Sequence, residues 1–323
     1  MALWLFLKIT KIYIIGGSAY FTNTHFMIKY KPRKIFRQTF LQKSFDKKGY
    51  VIVPFIDATK RRQLLDVFCD LQTYVTSGFH AMLTTKSIEY KVNSDKAIRE
   101  ICHLLPEQFL IDYKVLFASF VIKKAGETSY LHVHQDWSFT NDYKHTTINC
   151  WFPLTEITAD SGPLCVMQGS HHYMGCVRGS HFQDVSLLKG LRKTIEERYF
   201  TPLMPKLGEA VMFNNCLVHG SPANISNQPR IAISLCLIPK KAQALHLYRY
   251  KNGKVEKFEV DNHFYTHFTI GEHIQDNTHI AIKSKGYINY KPPKKIDEQT
   301  LHYLYPVSYT HLTLPTTYGV VVG

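Results

Sequence analysis

The chain has 323 residues and a formal net charge of +14 at pH 7, and hydrophobic residues make up 45% of it. This composition allows a sizeable buried core and excludes an intrinsically disordered chain. The positive charge would suit a nucleic-acid-binding protein, but we find no helix with clustered arginines, no zinc-finger spacing and no RNA-binding sheet motif. We therefore expect no specific nucleic-acid partner, and the alternative is a basic surface that attracts an anionic small molecule.

The two ends of the chain differ in composition from the rest. Residues 1–21 are apolar but are interrupted by Lys8 and Lys11, so we expect neither a membrane span nor a secretory signal. We interpret residues 1–27 as a doubtful N-terminal extension before Met27. Residues 306–323 are enriched in Thr, Val and Gly and are interpreted as a non-native or disordered tail. A single domain is therefore expected over residues 28–305.

The cysteines are odd in number and scattered, and no two of them form a C-x-x-C pair. This pattern favours reduced, buried thiols in a cytoplasmic protein over a disulfide framework or a zinc cluster. The seven cysteines are Cys69, Cys102, Cys150, Cys165, Cys176, Cys216 and Cys236.

Two helices are predicted before the first long strand. Asp57 is a good N-cap for a helix through about Thr76, whose apolar face contains Leu64 and Phe68. A second helical stretch is predicted from Asp95 to Leu105. Both helices are expected to support the outside of a β-structure.

Short apolar strands separated by Gly and Pro then dominate from Val115 to Ile238. This rhythm predicts a mainly β fold with flanking helices, in the form of a jelly roll or double-stranded β-helix. Residues 171–206 interrupt the rhythm with a basic segment that contains a predicted helix from about Gln183 to Tyr199. We expect this insertion to act as a lid and to determine substrate specificity.

The pattern that suggests chemistry follows the first of these strands. His134 and Asp136 are two residues apart, so in an extended chain both side chains point to the same side. A third candidate ligand, His219, is expected at the end of a strand that runs on from Gly208. Two histidines and one carboxylate form the facial triad that holds non-haem Fe(II) and leaves positions open for a co-substrate and O2.

Arg230 begins the next predicted strand, eleven residues after His219. A planar guanidinium binds a carboxylate through two parallel hydrogen bonds. The far carboxylate of 2-oxoglutarate needs such a partner while its keto-acid end chelates the iron. Together, the four residues predict an Fe(II)- and 2-oxoglutarate-dependent enzyme.

The chain resembles the phytanoyl-CoA dioxygenase family from about Phe45 to about Tyr265, and no position of the family motif is missing. The resemblance implies a cupin-like double-stranded β-helix hydroxylase that releases succinate and CO2. It also implies that Asp136, present as a carboxylate, favours hydroxylation over halogenation. The matching segments are His134–Ser138 (HQDWS), Asn149–Leu154 (NCWFPL), Ser161–His171 (SGPLCVMQGSH), His219–Ser221 (HGS) and Arg230.

By the family pattern, His134, Asp136 and His219 are the iron ligands. Arg230 and Ser221 would bind the distal carboxylate of 2-oxoglutarate, and Trp151 would line the co-substrate pocket. Asn149 alternates with Trp151 along one strand, so both side chains can face that pocket.

Three alternatives remain open from the sequence. One is a non-catalytic metal-binding jelly-roll protein, and another is a cupin-like metalloenzyme that does not use 2-oxoglutarate. Demethylation of nucleic acid is a weaker alternative that rests on charge alone. The substrate itself is expected to be a small molecule, with an anionic group as one possibility.

Overall fold

The structure is a computed structural model, and it describes most of the chain between residues 32 and 305 together with a short N-terminal hairpin. The described residues are 12–15, 18–21, 32–71, 78–172, 178–180, 188, 190–272, 274, 282–289 and 296–305. The predicted tail at 306–323 and the predicted helix end at 72–76 lie outside them.

Six α-helices flank the strands of the described chain. Among them, none combines the length and apolar character needed to cross a lipid bilayer. In chain order the helices are α1 (Thr39–Lys48), α2 (Ala58–Leu71), α3 (Ile88–Cys102), α4 (Arg192–Arg198), α5 (Phe264–His267) and α6 (Glu298–Leu304).

The strands alternate with these helices along the chain. In chain order they are β1 (Ile12–Ile15), β2 (Ser18–Phe21), β3 (Tyr50–Pro54), β4 (Phe79–His80), β5 (Tyr113–Lys123), β6 (Leu131–His134), β7 (Ile148–Pro153), β8 (Leu164–Met167), β9 (Phe200–Leu203), β10 (Glu209–Asn214), β11 (His219–Ser221), β12 (Arg230–Pro239), β13 (Leu245–Arg249), β14 (Val255–Glu259) and β15 (Lys283–Ile288).

Two antiparallel sheets form the jelly roll. The major sheet has the strand order β3-β10-β7-β12-β5-β4, and the minor sheet has the order β6-β11-β8-β9. One hydrophobic cluster lies between them, because it joins Trp151 and Phe213 of the major sheet to Val166 and Leu203 of the minor sheet. The mainly β architecture with flanking helices that the sequence predicted is confirmed.

The two faces of the major sheet pack against different parts of the fold, as the alternating residues of β12 show. Ile231, Ile233 and Leu235 pack in one core cluster with Leu64 and Phe68 of α2, so this face is covered by helices. The alternate residues of β12 point to the opposite face, towards the space between the sheets. Those residues are Arg230, Ala232, Ser234 and Cys236.

The two predicted N-terminal helices are present with changed bounds. Asp57 caps α2 as predicted, since its Oδ1 accepts a hydrogen bond of 2.8 Å from the backbone N–H of Lys60. The second helix begins at Ile88, seven residues before its predicted start, because the Ser87 side chain accepts from the Tyr90 N–H and caps it there. The prediction of its start was wrong because this Ser cap was overlooked.

The segment from Gly208 to Ser221, predicted as one strand, is two strands in different sheets. β10 belongs to the major sheet and β11 to the minor sheet. Between them the chain turns, and Leu217 N–H donates to the Asn214 carbonyl over 2.7 Å. The turn carries His219 across the fold to face β6.

The segment predicted as an insertion also contributes to the fold. Its helix α4 is shorter than predicted within the described residues, and residues 181–187 and 189 lie outside them. The final part, β9, pairs with β8 as the edge strand of the minor sheet. The segment predicted as an insertion, 171–206, therefore includes one strand of the jelly roll.

A third sheet of β13, β14 and β15 follows the jelly roll. β13 and β14 form a hairpin, and Gly253 has φ of 82° in the turn between them. The cysteines of the described chain are free thiols. Cys102, Cys150, Cys165 and Cys236 are buried as predicted, whereas Cys216 is half-buried and Cys69 is exposed, so the prediction of burial was wrong for these two.

Candidate functional site

His134 and His219 lie directly opposite each other on neighbouring antiparallel strands. His134 is the last residue of β6, His219 is the first residue of β11, and the two are Cα partners in the strand register. Their ring centroids are 4.2 Å apart. Because side chains of paired residues project to the same face, both imidazoles point into the space between the sheets.

Asp136 completes the group from the loop after β6. Its Oδ1 atom lies 3.9 Å from His134 Nε2 and 3.7 Å from His219 Nε2. One ligand atom from each of the three residues lies within 4.8 Å of the others. At metal–ligand distances of about 2 Å, a single cation can be shared by all three.

Hydrogen bonds fix which imidazole nitrogens are available to a metal. His134 Nδ1 donates to the His132 carbonyl over 2.7 Å, and His219 Nδ1 donates to the Leu217 carbonyl over 2.9 Å. Both Nε2 atoms therefore keep their lone pairs and face the Asp136 carboxylate. Such bonds fix the tautomer and the ring orientation of metal-binding histidines.

The Asp136 carboxylate is oriented by two residues of the major sheet. Asn149 Nδ2 donates to Asp136 Oδ2 over 3.2 Å, which leaves Oδ1 directed towards the histidines. Ser234 Oγ in turn donates to Asn149 Oδ1 over 2.8 Å and fixes the orientation of the amide. The donor set thus fits a facial metal centre, with one oriented donor atom on each residue.

Arg178 holds the backbone of the Asp136 loop. The guanidinium is buried, donates from Nε to the Asp136 carbonyl over 2.5 Å, and pairs with Asp142 Oδ2 over 2.9 Å. Ser138 N–H donates to the Arg178 carbonyl over 2.9 Å. From the sequence Arg178 was only one basic residue of the predicted insertion, since these contacts are visible only in three dimensions.

The surroundings of His134 favour its neutral form. Its side chain keeps 35% of its surface accessible, and the surrounding protein covers the remainder. Desolvation and the neighbouring His219 lower the pKa of His134 below its usual value. A neutral imidazole is the form that binds a metal, so His134 needs to lose no proton at neutral pH.

A second polar group lies where β11 ends and β12 begins. Arg230 is 3% exposed and donates from Nη1 to the Gly162 carbonyl over 2.8 Å. Ser221 Oγ donates to the same carbonyl over 2.7 Å. Arg230 Cζ lies 5.3 Å from the centre of the buried Trp151 ring, a cation–π contact. The structure thus brings together all three residues predicted for the co-substrate.

Gly162 cannot be replaced without a clash in this pocket. Its φ is +72°, and a Cβ atom there would lie 2.6 Å from the Pro222 carbonyl oxygen and 3.2 Å from Lys123 Nζ. Glycine is required both for the left-handed backbone and for the close approach of these groups. The carbonyl that Arg230 and Ser221 share is therefore held in place by a residue without a side chain.

Helix α4 lies beside the mouth of the candidate metal centre. Its Ile195 packs with Val133 on the back of β6, and the Tyr130 hydroxyl forms a short hydrogen bond with Glu196. Arg192, at the start of α4, is exposed, and its positive charge contributes to lowering the pKa of His134. His132 packs edge-on against Tyr130, at 4.8 Å between ring centroids.

The family model for phytanoyl-CoA dioxygenase (PhyH) matches residues 45–232 of this chain. No curated protein sequence matches it significantly. Among solved structures, the chain is similar to the non-haem α-ketoglutarate-dependent carbocyclase SnoK from nogalamycin biosynthesis, at 16% identity and a TM-score of 0.49 over 64% of this chain and 86% of that one.

Two further solved structures are similar at lower TM-scores. HygX from Streptomyces hygroscopicus, with nickel and 2-oxoglutarate bound, has 14% identity and a TM-score of 0.43 over 63% of this chain and 88% of that one. EctD from S. alaskensis, with 2-oxoglutarate and 5-hydroxyectoine, has 19% identity and a TM-score of 0.44 over 62% and 76%, respectively.

Proposed function

The chain belongs to the phytanoyl-CoA dioxygenase family of 2-oxoglutarate-dependent non-haem iron enzymes, and we propose that it hydroxylates an anionic small molecule. The family match over residues 45–232 spans more than half of the chain. The observation that carries the proposal is the convergence of His134 Nε2, Asp136 Oδ1 and His219 Nε2 within 4.8 Å of one another.

In this proposal His134, Asp136 and His219 hold Fe(II), while Arg230 and Ser221 bind the distal carboxylate of 2-oxoglutarate. Bound iron and 2-oxoglutarate supply oxidative decarboxylation, in which one atom of O2 enters succinate and the other enters a C–H bond of the substrate. CO2 is the remaining product. In the proposal Trp151 lines the co-substrate pocket, and its ring lies 5.3 Å from Arg230 Cζ in a cation–π contact.

The protein contributes the orientation of the groups that would hold the metal. Asn149 and Ser234 hold the Asp136 carboxylate, and the carbonyls of His132 and Leu217 hold the two imidazoles. Because these groups are already oriented, little reorganisation accompanies loading of the centre. Phe213, from the hydrophobic cluster between the sheets, packs against the His219 ring at 4.9 Å between ring centroids.

The anionic group of the substrate is proposed from the position of Arg192. This exposed guanidinium lies at the start of α4, and its charge acts on His134. A carboxylate or phosphate bound there would place the rest of the substrate over the open side of the metal centre. We also propose that residues 28–305 form one domain and that the segment 171–206 covers the site and determines the substrate. We propose a cytoplasmic location, because the cysteines are free thiols.

A cupin-like enzyme without 2-oxoglutarate would have no use for a buried arginine stacked on a tryptophan. Arg230 and Trp151 therefore favour the 2-oxoglutarate-dependent reaction over that alternative. A non-catalytic protein would release no succinate, which makes turnover the discriminating observation.

The substrate proposal is tested by incubating the Fe(II)-loaded protein with 2-oxoglutarate, O2 and a panel of carboxylate- or phosphate-bearing small molecules. Mass spectrometry should find succinate and a product heavier by one oxygen atom in equal amounts. R192Q should raise the KM of the accepted substrate about ten-fold, whereas K193Q, in the neighbouring residue with an 87% exposed side chain, should not. Equal KM values for the two variants would remove Arg192 from this role.

A further inference from the structure

The solvent-facing side of helix α1 combines lysines with a large apolar side chain. Phe40, Lys43 and Lys47 follow one another at spacings of three and four residues, so they lie along one face of the helix. All three are exposed, and Phe40 is 69% exposed. Leu41 and Phe45 lie on the other face and are buried in the core. The core therefore accounts for the inner face of α1 but not for the exposed phenylalanine.

Backbone hydrogen bonds fix α1 on the jelly roll. The carbonyl of Lys48, the last residue of the helix, accepts from the Gly169 N–H over 2.9 Å. The next carbonyl, that of Gly49, accepts from the Asn214 N–H at the end of β10, also over 2.9 Å. A contact made by the outer face of α1 therefore orients the whole jelly roll.

A second exposed apolar side chain lies beside the segment that leads into α1. The Arg37 N–H donates to the Phe109 carbonyl over 2.8 Å, and Arg37 Nε donates to the Glu107 carbonyl over 2.7 Å. The Glu107 N–H in turn donates to the carbonyl of Leu104, a residue that is 60% exposed. The surface near the start of α1 thus presents the apolar side chains of Phe40 and Leu104 together with cations.

The charge of this surface is strongly positive. Residues 32–48 contain six lysines and arginines and a single acidic residue, Asp46. The Asp46 carboxylate is half-buried and accepts a hydrogen bond of 2.9 Å from Gln42 Nε2. In the described part of the chain, no carboxylate forms an ion pair with Lys43 or Lys47.

This arrangement is unfavourable for a face that meets only water. Lys43 and Lys47 are like charges four residues apart, which weakens a helix. The helix dipole compensates Lys47 in the last turn, but Lys43 lies in the middle of the helix and gains nothing from it. The exposed Phe40 ring keeps apolar surface in water. The boundary of an anionic bilayer offers negative charge and an apolar layer at once, and so complements both features.

We propose that the outer face of α1 docks on a lipid bilayer that contains anionic head groups. Lys43 and Lys47 pair with the head groups, and the Phe40 ring inserts at the boundary between head groups and acyl chains. The contact is peripheral and reversible, because one short helix face buries too little apolar surface for a permanent anchor. It requires neither metal nor 2-oxoglutarate, so it is independent of the proposed function.

The test is sedimentation of the full-length protein with vesicles of phosphatidylcholine that contain about 30% phosphatidylserine, beside vesicles of phosphatidylcholine alone. The protein should bind only the anionic vesicles, and binding should weaken as salt is added. K43Q/K47Q should lower the partition coefficient about 30-fold, because each cation near an anionic surface contributes about five-fold. F40S should lower it about ten-fold through the loss of apolar burial.

Matched controls lie elsewhere on the surface. K206Q/K251Q removes two exposed lysines, and I225S removes an apolar side chain of a residue that is 71% exposed. Both proteins should bind anionic vesicles as the wild type does. Because every substituted residue is exposed, all the variants should keep the wild-type thermal unfolding transition, which circular dichroism measures.

Three results would overturn the docking of α1 on a bilayer. The first is equal binding of the wild type to both kinds of vesicle. The second is an equal loss in K43Q/K47Q and K206Q/K251Q, which would reduce the effect to net charge. The third is displacement of the vesicles by a duplex oligonucleotide, with wild-type vesicle binding in F40S, which would assign the basic face to nucleic acid.

Discussion

His134 and His219 are direct cross-strand partners, and each imidazole is fixed by the same local hydrogen bond to the carbonyl two residues earlier in the chain. The pair of strands thus presents two Nε2 atoms with matching orientation. Asp136 brings its Oδ1 atom to within 3.9 Å of one and 3.7 Å of the other. The candidate metal centre is consequently oriented by backbone geometry before any ion binds.

Removal of the carboxylate should abolish iron binding. We expect D136A to retain its fold, because the Asp136 side chain is partly exposed and makes one side-chain hydrogen bond, and to lose stoichiometric Fe(II). Two histidines alone do not form a facial site. Iron content after anaerobic loading and desalting is the measurement, with D66A on the outside of α2 as the control. Full iron content in D136A would contradict the assignment.

Asn149 should raise the affinity for Fe(II) because it orients the Asp136 carboxylate. In N149A, the Asp136 Oδ2 atom loses its donor, and Fe(II) affinity should fall about 10- to 100-fold, as is typical for partners of metal ligands. S234A removes only the bond that orients the Asn149 amide and should have a smaller effect. Competition with a metal-binding dye gives both affinities. Equal affinities for N149A and the wild type would show that Asn149 has no such role.

Loss of the Arg230 side chain should weaken the binding of 2-oxoglutarate and leave the binding of iron unchanged. R230A should raise the 2-oxoglutarate concentration needed for half-maximal succinate formation at least ten-fold, because it removes charged donors at the distal carboxylate. R230K keeps the charge but not the planar fork, so an intermediate value is expected. An unchanged 2-oxoglutarate requirement in R230A, at normal iron content, would remove Arg230 from its proposed role.

Alanine substitutions at Gly162 and Gly253 should separate the cost of a positive φ from the cost of a steric clash. G162A should lower the free energy of unfolding by more than about 2 kcal/mol, because a positive φ costs about 1–2 kcal/mol and the new methyl group also meets the Pro222 carbonyl. G253A is the matched control, since Gly253 has φ of +82° with nothing within 4 Å of a Cβ atom. Denaturant unfolding measures both. Equal losses would show that the close approach at Gly162 has no energetic consequence.

Lys123 should give the protein without 2-oxoglutarate a distinctive pH dependence. Its pKa is about 7 in the fold and about 10.4 in an unfolded chain, so between these values the unfolded state binds more protons. Stability should therefore rise with pH across this window, by a few kcal/mol at most, whereas below pH 7 the full cost of burying the charged lysine applies and no longer changes with pH. The wild type and K123Q are compared by denaturant unfolding at pH 7 and pH 9. Parallel pH profiles for the two proteins would contradict the lowered pKa.

The sequence was sufficient for local relationships at the candidate site. The two-residue spacing of His134 and Asp136, and the alternation of Asn149 with Trp151, follow from the geometry of an extended chain. The grouping with His219 followed from the pattern of two histidines and one carboxylate and from the family resemblance, and not from strand geometry. The strand content and the Asp57 cap could be predicted in the same way.

Relationships set by long-range register could not be predicted. The turn after Asn214 moves His219 to another sheet, although the surrounding residues have the composition of one continuous strand. The pairing of Lys123 with Arg230 depends on how β5 and β12 align, and no local pattern specifies that register. Arg178 reaches Asp142 and the Asp136 carbonyl from a segment that the sequence identified only as basic.

The most direct test of the account is anaerobic absorption spectroscopy of the purified protein with Fe(II), before and after 2-oxoglutarate is added. Chelation of iron by the keto-acid end of 2-oxoglutarate should produce a weak visible charge-transfer band that requires both components. The band should be absent from D136A, which lacks the carboxylate of the His134–Asp136–His219 group. A folded, iron-loaded wild-type protein that shows no band would contradict the account.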